Sequence, residues 1–190
     1  MKAVVVLALT LVCHTMFAQT AYSFKEVGWS IELPEDFEKM DDAALAPFAL
    51  KGTDAAEQDL VKKFELNKAK NLIGAAKDKY NFFNASVNYS PAITASNWQQ
   101  ADKAAKQIYF NSFNQQIRFI KVDTTNTVLT IDGQDFQKFE AVCYINSNNT
   151  FTAVYITKFF KGHLFTISYY FMDYSAGQEL DKMIAGSKFE

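Results

Sequence analysis

In residues 127–172 apolar runs alternate with tight-turn residues so regularly that an antiparallel β-meander is the structure that accommodates them. Residues 127–131 are β-branched and apolar, and Asp132-Gly133 tolerates the positive φ angles of a tight hairpin. Residues 136–145 run back. Asn146 to Thr150 is polar and turn-rich, residues 151–160 form the next strand, and Lys161-Gly162 turns the chain into residues 163–172. Side chains alternate across a strand, so Phe165, Ile167, Tyr169 and Phe171 share one face, and Leu164, Thr166, Ser168, Tyr170 and Met172 share the other. Phe139, Ala141, Cys143 and Ile145 likewise oppose a mixed row that begins at Phe136. Neither face is wholly polar, so helices or loops must cover part of both.

The N-terminus reads as an export signal. Met1-Lys2 is a short positive start, and residues 3–12 are an apolar run too short to cross a bilayer as a helix. The pattern is that of a signal peptide over residues 1–18, cleaved after Ala18 to leave Gln19 first, with Met16 larger than usual three residues before the cut. Cys13 offers lipid anchoring as the alternative, opposed by bulky Leu11 and Val12 in front of it. The expectation is an exported protein, periplasmic or secreted, with a single domain over residues 19–190 and no transmembrane segment in the mature chain.

Cleavage removes one lysine and no acid from 19 basic and 21 acidic residues, leaving a net charge of −3. Arg118 is the only arginine, which argues against nucleic acid as a partner, because bidentate contacts to phosphate and guanine favour arginine. Without Cys13 the one remaining cysteine is Cys143, so no intramolecular disulfide can form. Stability must then come from a core, for which about 170 residues suffice. Cys143 alternates with Phe139, Ala141 and Ile145 and reads as a buried small hydrophobe.

Upstream of the meander, residues 22–27 and 29–33 are apolar-rich runs around Gly28, read as an N-terminal strand or hairpin that Pro34 ends. Residues 41–52, with Pro47, read as irregular with at most one short turn of helix. Asp54-Ala55-Ala56-Glu57 is a capping box, and Leu60, Val61 and Phe64 mark one face of the helix it opens, which is expected to end near Asn67. Residues 71–77 fit either a helical extension or a strand, and Gly74 tips the reading to strand. Tyr80 to Tyr89 is a strand with Phe83, Ala85, Val87 and Tyr89 on one side and Phe82, Asn84, Ser86 and Asn88 on the other. Ser96-Asn97-Trp98-Gln99 reads as a second capping box, opening a helix whose stripe runs through Trp98, Ala101, Ala104, Ala105, Ile108, Tyr109 and Phe113. Ser175-Ala176-Gly177-Gln178 reads as a third, before a closing helix with Ala176, Leu180, Met183 and Ile184 inside. The fold class expected is α+β: an antiparallel sheet of about six to seven strands sandwiched between helices.

Catalytic constellations are missing from the pattern. The mature chain keeps one histidine, His163, which with Cys143 is too few for a zinc site. No Gly-x-Ser-x-Gly elbow or phosphate-cradling glycine loop occurs, and Asp132-Gly133-Gln134-Asp135 is a turn rather than a calcium loop. The acids Glu35-Asp36 and Asp41-Asp42 read as solvated loop residues rather than as paired catalytic carboxylates. Asn84-Ala85-Ser86, Asn88-Tyr89-Ser90 and Asn148-Asn149-Thr150 match the glycosylation sequon. No cofactor is expected, and the protein is expected not to be an enzyme. Aromatic residues are plentiful, with 18 Phe and 9 Tyr, beyond what one sheet and its helices obviously need. Tyr155, Tyr169, Tyr170 and Tyr174 gather near the final strands, where tyrosines can line a cleft or an interface as well as fill a core.

The ordered pattern resembles the PsbP-like family (PsbP/DcrB-like fold). The resemblance rests on Phe24 followed by Gly28-Trp29-Ser30-Ile31-Glu32-Leu33-Pro34-Glu35-Asp36-Phe37, the helix from Ser96, the hairpin Ile131-Asp132-Gly133 with Phe136 and Phe139, and the final helix closing on Ser187 and Phe189. It implies an antiparallel sheet between helical layers, in agreement with the reading above. There is no chloroplast-type transit segment and no histidine arrangement onto which a photosystem role carries over, so photosynthetic function is not implied. The resulting expectation is a protein-binding or assembly-assisting domain whose partner is an unidentified envelope or extracellular protein. The alternative is binding of a small apolar ligand or lipid in an aromatic-lined cleft between the sheet and the helix from Ser96.

Overall fold

The computed structural model describes residues 20–46 and 50–190. The segment read as a signal peptide, with Cys13, and Pro47 lie outside the described residues. The chain opens with a hairpin of β1 (Ala21–Phe24) and β2 (Trp29–Glu32), then passes through the short β3 (Glu38–Lys39) and a single helical turn, α1 (Asp42–Leu45). Next come α2 (Ala55–Phe64), a 3-10 turn at Leu66–Lys68, β4 (Lys70–Asp78), β5 (Asn81–Asn88) and the long α3 (Trp98–Asn114). The meander follows as β6 (Lys121–Ile131), β7 (Gln134–Tyr144), β8 (Thr150–Phe160) and β9 (His163–Phe171). Helix α4 (Tyr174–Gly186) and β10 (Lys188–Phe189) close the chain.

Seven strands build one antiparallel sheet in the order β3-β4-β5-β9-β8-β7-β6, and β1, β2 and β10 build a second. This is the expected α+β sandwich. The small sheet was not foreseen, because β10 has only two residues and gains its place by pairing Lys188 with Ser30 and Phe189 with Trp29. Two of the three meander hairpins turn on two residues with positive φ, Asp132 and Gly133 at 48° and 74°, Lys161 and Gly162 at 51° and 85°. Residues 71–77 do form a strand, within β4. Strand β6 begins at Lys121, earlier than its apolar half indicates: its polar first half, residues 121–126, pairs in full with β7 but lies on an open edge, where exposed side chains are free to be polar.

Two of the three expected helix caps are corrected. Asp54 caps α2 as read, its carboxylate accepting the Glu57 N–H at 2.9 Å, and the helix stops at Phe64 because Glu65 turns left-handed at φ 50°. Helix α3 has Asn97 as its first flanking residue, but that side chain is spent on the preceding loop, accepting from Thr94 N–H at 2.7 Å and donating to the Ala92 carbonyl at 2.9 Å. Asp173 rather than Ser175 caps α4, accepting the Ser175 N–H at 2.9 Å. The charged acceptor two residues earlier takes the cap position, and the Ser175 hydroxyl itself donates to it at 2.8 Å.

The seven-stranded sheet has two unlike faces. On one, Phe83, Ala85 and Val87 of β5, Val154 and Ile156 of β8, and Phe165, Ile167 and Tyr169 of β9 pack against α4 and the small sheet. Trp29 anchors that layer, edge-on to Phe165 at 5.1 Å and stacked on Phe24 at 5.5 Å. Gly177 lets α4 settle on the strands: a Cβ there would stand 2.5 Å from the Phe171 ring. The opposite face carries α2 and α3, with Ala101, Ala104, Ala105 and Ile108 turned inward as the stripe requires.

Candidate functional site

Helix α3 crosses its face of the sheet without covering all of it. Its alanines allow close approach in the first half, where the buried Asp102 accepts a hydrogen bond from the Thr157 hydroxyl of β8 and pairs with Lys106 at 2.7 Å. In the second half the inward residues are rings. Tyr109 donates its hydroxyl to the Tyr169 carbonyl at 3.1 Å and leans on Phe113 at 4.9 Å, and Phe113 in turn meets Tyr170 at 5.3 Å. Beside these rings a cleft of about 560 Å³ opens between α3, the segments on either side of α2 and the sheet. Such a volume lies within the range of about 300–1,000 Å³ typical of small-molecule sites.

Its floor is set by strand register. Two adjacent cross-strand rows run over β4, β5, β9 and β8: Asn71, Ser86, Thr166 and Thr157 in one, and Gly74, Asn84, Ser168 and Tyr155 in the other. A sheet face under a helix is ordinarily apolar. Here the middle of the face is polar, and only its end, where Phe82 stacks on Tyr170 at 5.2 Å, is aromatic. The expected aromatic-lined cleft is therefore aromatic on its wall and polar on its floor, because alternation hands the apolar half of β5 and β9 to the α4 face.

Several floor groups are left open. Asn84 donates its amide to the Asn71 carboxamide oxygen at 3.2 Å, while its own Oδ1 is buried without a partner. The hydroxyls of Ser86 and Ser168 have no hydrogen-bond partner among the described residues. Asn88, by contrast, is used up, donating to the Glu65 carbonyl at 2.9 Å and accepting from Ser90 N–H at 2.8 Å. The lining carries one charge, Lys51, at the rim. Burial pushes the Tyr109 phenol well above its ordinary value, with Tyr170 and Tyr155 adding to the effect. Burial also raises Tyr155, assisted by Asp102 and partly offset by the bond from Thr166, and moves Tyr170 up to about 12. The phenols in the cleft are thus neutral donors near pH 7.

Of the four tyrosines singled out by sequence, Tyr155 and Tyr170 line this cleft. Tyr169 faces the other way, its hydroxyl donating to Asp181 of α4 inside the apolar core. Tyr174, at the start of α4, is 73% exposed. Proximity in sequence put them together, and strand alternation separates them. Cys143 is fully buried, with burial raising its thiol to about 11, and His163 lies at the β8–β9 turn with its ring 4.5 Å from Tyr89. Cys143 pairs with Phe151 and His163 with Phe160, which sets thiol and imidazole roughly 30 Å apart along β8. Sequence reasoning placed Asn84 and Asn88 on one face of their strand and named them as sequons, but not as site residues. The available signal was the polar alternation of Asn84, Ser86, Thr166 and Ser168 on strands buried on both faces. No three His, Cys, Asp or Glu side chains converge among the described residues, and no described helix is long and apolar enough to cross a membrane.

No protein-family model matches the chain, and no curated protein is similar to it in sequence. Its architecture does match solved structures. The solution structure of cyanobacterial PsbP from Synechocystis superposes with a TM-score of 0.52 at 12% identity, over 93% of this chain and 96% of that one. The protein has the PsbP-like fold. A crystal structure from Bacteroides thetaiotaomicron matches with a TM-score of 0.48 at 10% identity, over 90% of this chain. This chain spans about half of it, 48% of its length. LpqN, involved in cell envelope biogenesis of Mycobacterium tuberculosis, matches with a TM-score of 0.44 at 11% identity, over 90% of both chains.

Proposed function

We propose that the protein is an exported, non-catalytic PsbP-like domain that binds a small molecule in the cleft between the sheet and α3. The buried, unpartnered Oδ1 of Asn84 in the floor of a cavity of about 560 Å³ carries this reading. Buried polar atoms without partners are rare in folded proteins, and one on a residue that lines a cavity favours a site whose partner arrives from outside. Export rests on the signal-peptide pattern of residues 1–18. The test is native mass spectrometry of the mature protein purified from its source without denaturation, beside a Ser168→Phe variant that fills the floor. A bound small molecule present in the first and absent from the second is the expected result, and no mass above that of the bare polypeptide in either under gentle ionisation refutes the reading.

A second reading, a platform for an envelope or extracellular protein, is favoured by β6. This edge strand of 11 residues has Val128 60% exposed, and nearby Ile120 is 70% exposed. An open edge of that length offers backbone groups to an added strand. Recovery of one stoichiometric partner by the wild type, lost on Val128→Pro, would support it. Unchanged recovery by the proline variant would remove it.

A further inference from the structure

The shape and chemistry of the floor specify more than a small molecule. We infer that the cleft takes a neutral, polyhydroxylated ligand the size of a disaccharide, an inference that rests on the ligand-binding reading above. Charge is the first argument. The lining contains no acid and only the rim cation Lys51, so neither an anion nor a cation finds a buried counter-charge.

Hydrogen-bonding capacity is the second argument. The open floor groups are a carboxamide, Asn84, paired with Asn71, and two hydroxyls, Ser86 and Ser168. Hydroxyls both donate and accept, and Asn84 presents an acceptor only, its donor being engaged. A ligand whose own groups are hydroxyls satisfies every one of these in either direction. An alkyl chain satisfies none, and would strip water from several polar atoms at once; each such loss weakens binding by roughly tenfold or more.

Dimensions supply the third. The polar groups that line the cleft cross β4, β5 and β9, two interstrand steps or about 10 Å, with Tyr155 of β8 closing the row. That length suits two linked sugar rings better than one. Opposite the rows stand the rings of Tyr109 and Phe113, which give the apolar C–H faces of such rings a surface to lie on while the hydroxyl edges meet the floor.

The experiment is a backbone and side-chain amide NMR titration of the mature protein with four neutral disaccharides, cellobiose, maltose, lactose and N,N′-diacetylchitobiose, and in parallel with decanol. The same titrations are run on Asn84→Leu and on the cleft-filling Ser168→Phe, with the dispersion of each spectrum reporting that the variant is folded. Expected is saturable shifting of the Asn84 and Asn71 side-chain amides by at least one disaccharide, weakened at least tenfold by Asn84→Leu and lost in Ser168→Phe. Decanol binding that Ser168→Phe abolishes, with no disaccharide response, overturns the polyol inference and leaves the ligand-binding cleft standing. Disaccharide shifts that Asn84→Leu does not weaken overturn it as well. No response to any probe, in a wild type whose native mass carries no ligand, removes both.

Discussion

The two faces of the seven-stranded sheet use the same strands to opposite ends. Towards α4 the side chains of β5, β8 and β9 interlock with Trp29 and the closing helix, and the Tyr169 hydroxyl among them is bonded to Asp181. Towards α3 the neighbouring residues of the same strands form polar rows under an unfilled cleft. The difference teaches that one face holds the fold together and thereby frees the other from having to. A face that packs to interior density tolerates no misfit, whereas a face with a cavity tolerates substitution and has groups to spare for a ligand.

The sharpest break of this contrast is Trp29→Ala, on the packed face. Loss of a fully buried ring system that touches Phe24 and Phe165 is expected to lower stability by about 3–5 kcal/mol, read from urea unfolding. Next in size is Asp102→Ala, where α3 meets β8. It strands the buried Thr157 hydroxyl and the Lys106 ammonium, and is expected to cost about 1–3 kcal/mol, with the amides of α3 exchanging faster while those of α4 keep their protection.

A smaller, pH-dependent effect belongs to Glu57 at the start of α2. Burial works to raise this carboxyl, but the Thr53 hydroxyl, the Thr53 N–H and the Asn111 amide together hold it below its ordinary value. A depressed carboxyl contributes stability that is fully present above its unfolded value, about 4.3, and is lost as pH falls through the folded one. Glu57→Gln should therefore flatten the decline of stability below about pH 5, as measured by thermal unfolding across an acid series. Smallest of all is Asn84→Leu on the open face. It gives up the amide bond to Asn71 but also removes an acceptor that has no partner, so stability should move by no more than about 1 kcal/mol, and an effect as large as that of Trp29→Ala would erase the distinction between the faces.

Much of this organisation was legible beforehand. The turns at Asp132-Gly133 and Lys161-Gly162 dictate hairpins because few other dipeptides accept two consecutive positive φ angles. Period-two alternation in β5 and β9 assigned Phe83, Phe165 and Ile167 to one face and Asn84 and Ser168 to the other, as observed. The helical stripes of α3 and α4 were equally plain. Less visible were β10 and the first half of β6, whose sequences have no strand-like apolar content and which exist because a formed strand lies beside them. The caps of α3 and α4 were misplaced because several candidate acceptors stood within a turn of each other, and only the path of the preceding loop selects among them.

For the site the balance differs. Tyr155 and Tyr170 could be named from sequence, but Tyr169 and Tyr174 could not be told apart from them by adjacency alone. Local chemistry, acting over a few residues, determined by itself which segments are strands and helices and which side chains share a strand face. Only tertiary structure decided that β5 lies beside β9, with α3, β6, β7 and β8 between them in the chain, and so brought Asn84 level with Ser168 and Tyr155. Register between distant strands is settled by packing of the whole core, and a cavity is a property of what that packing leaves unfilled.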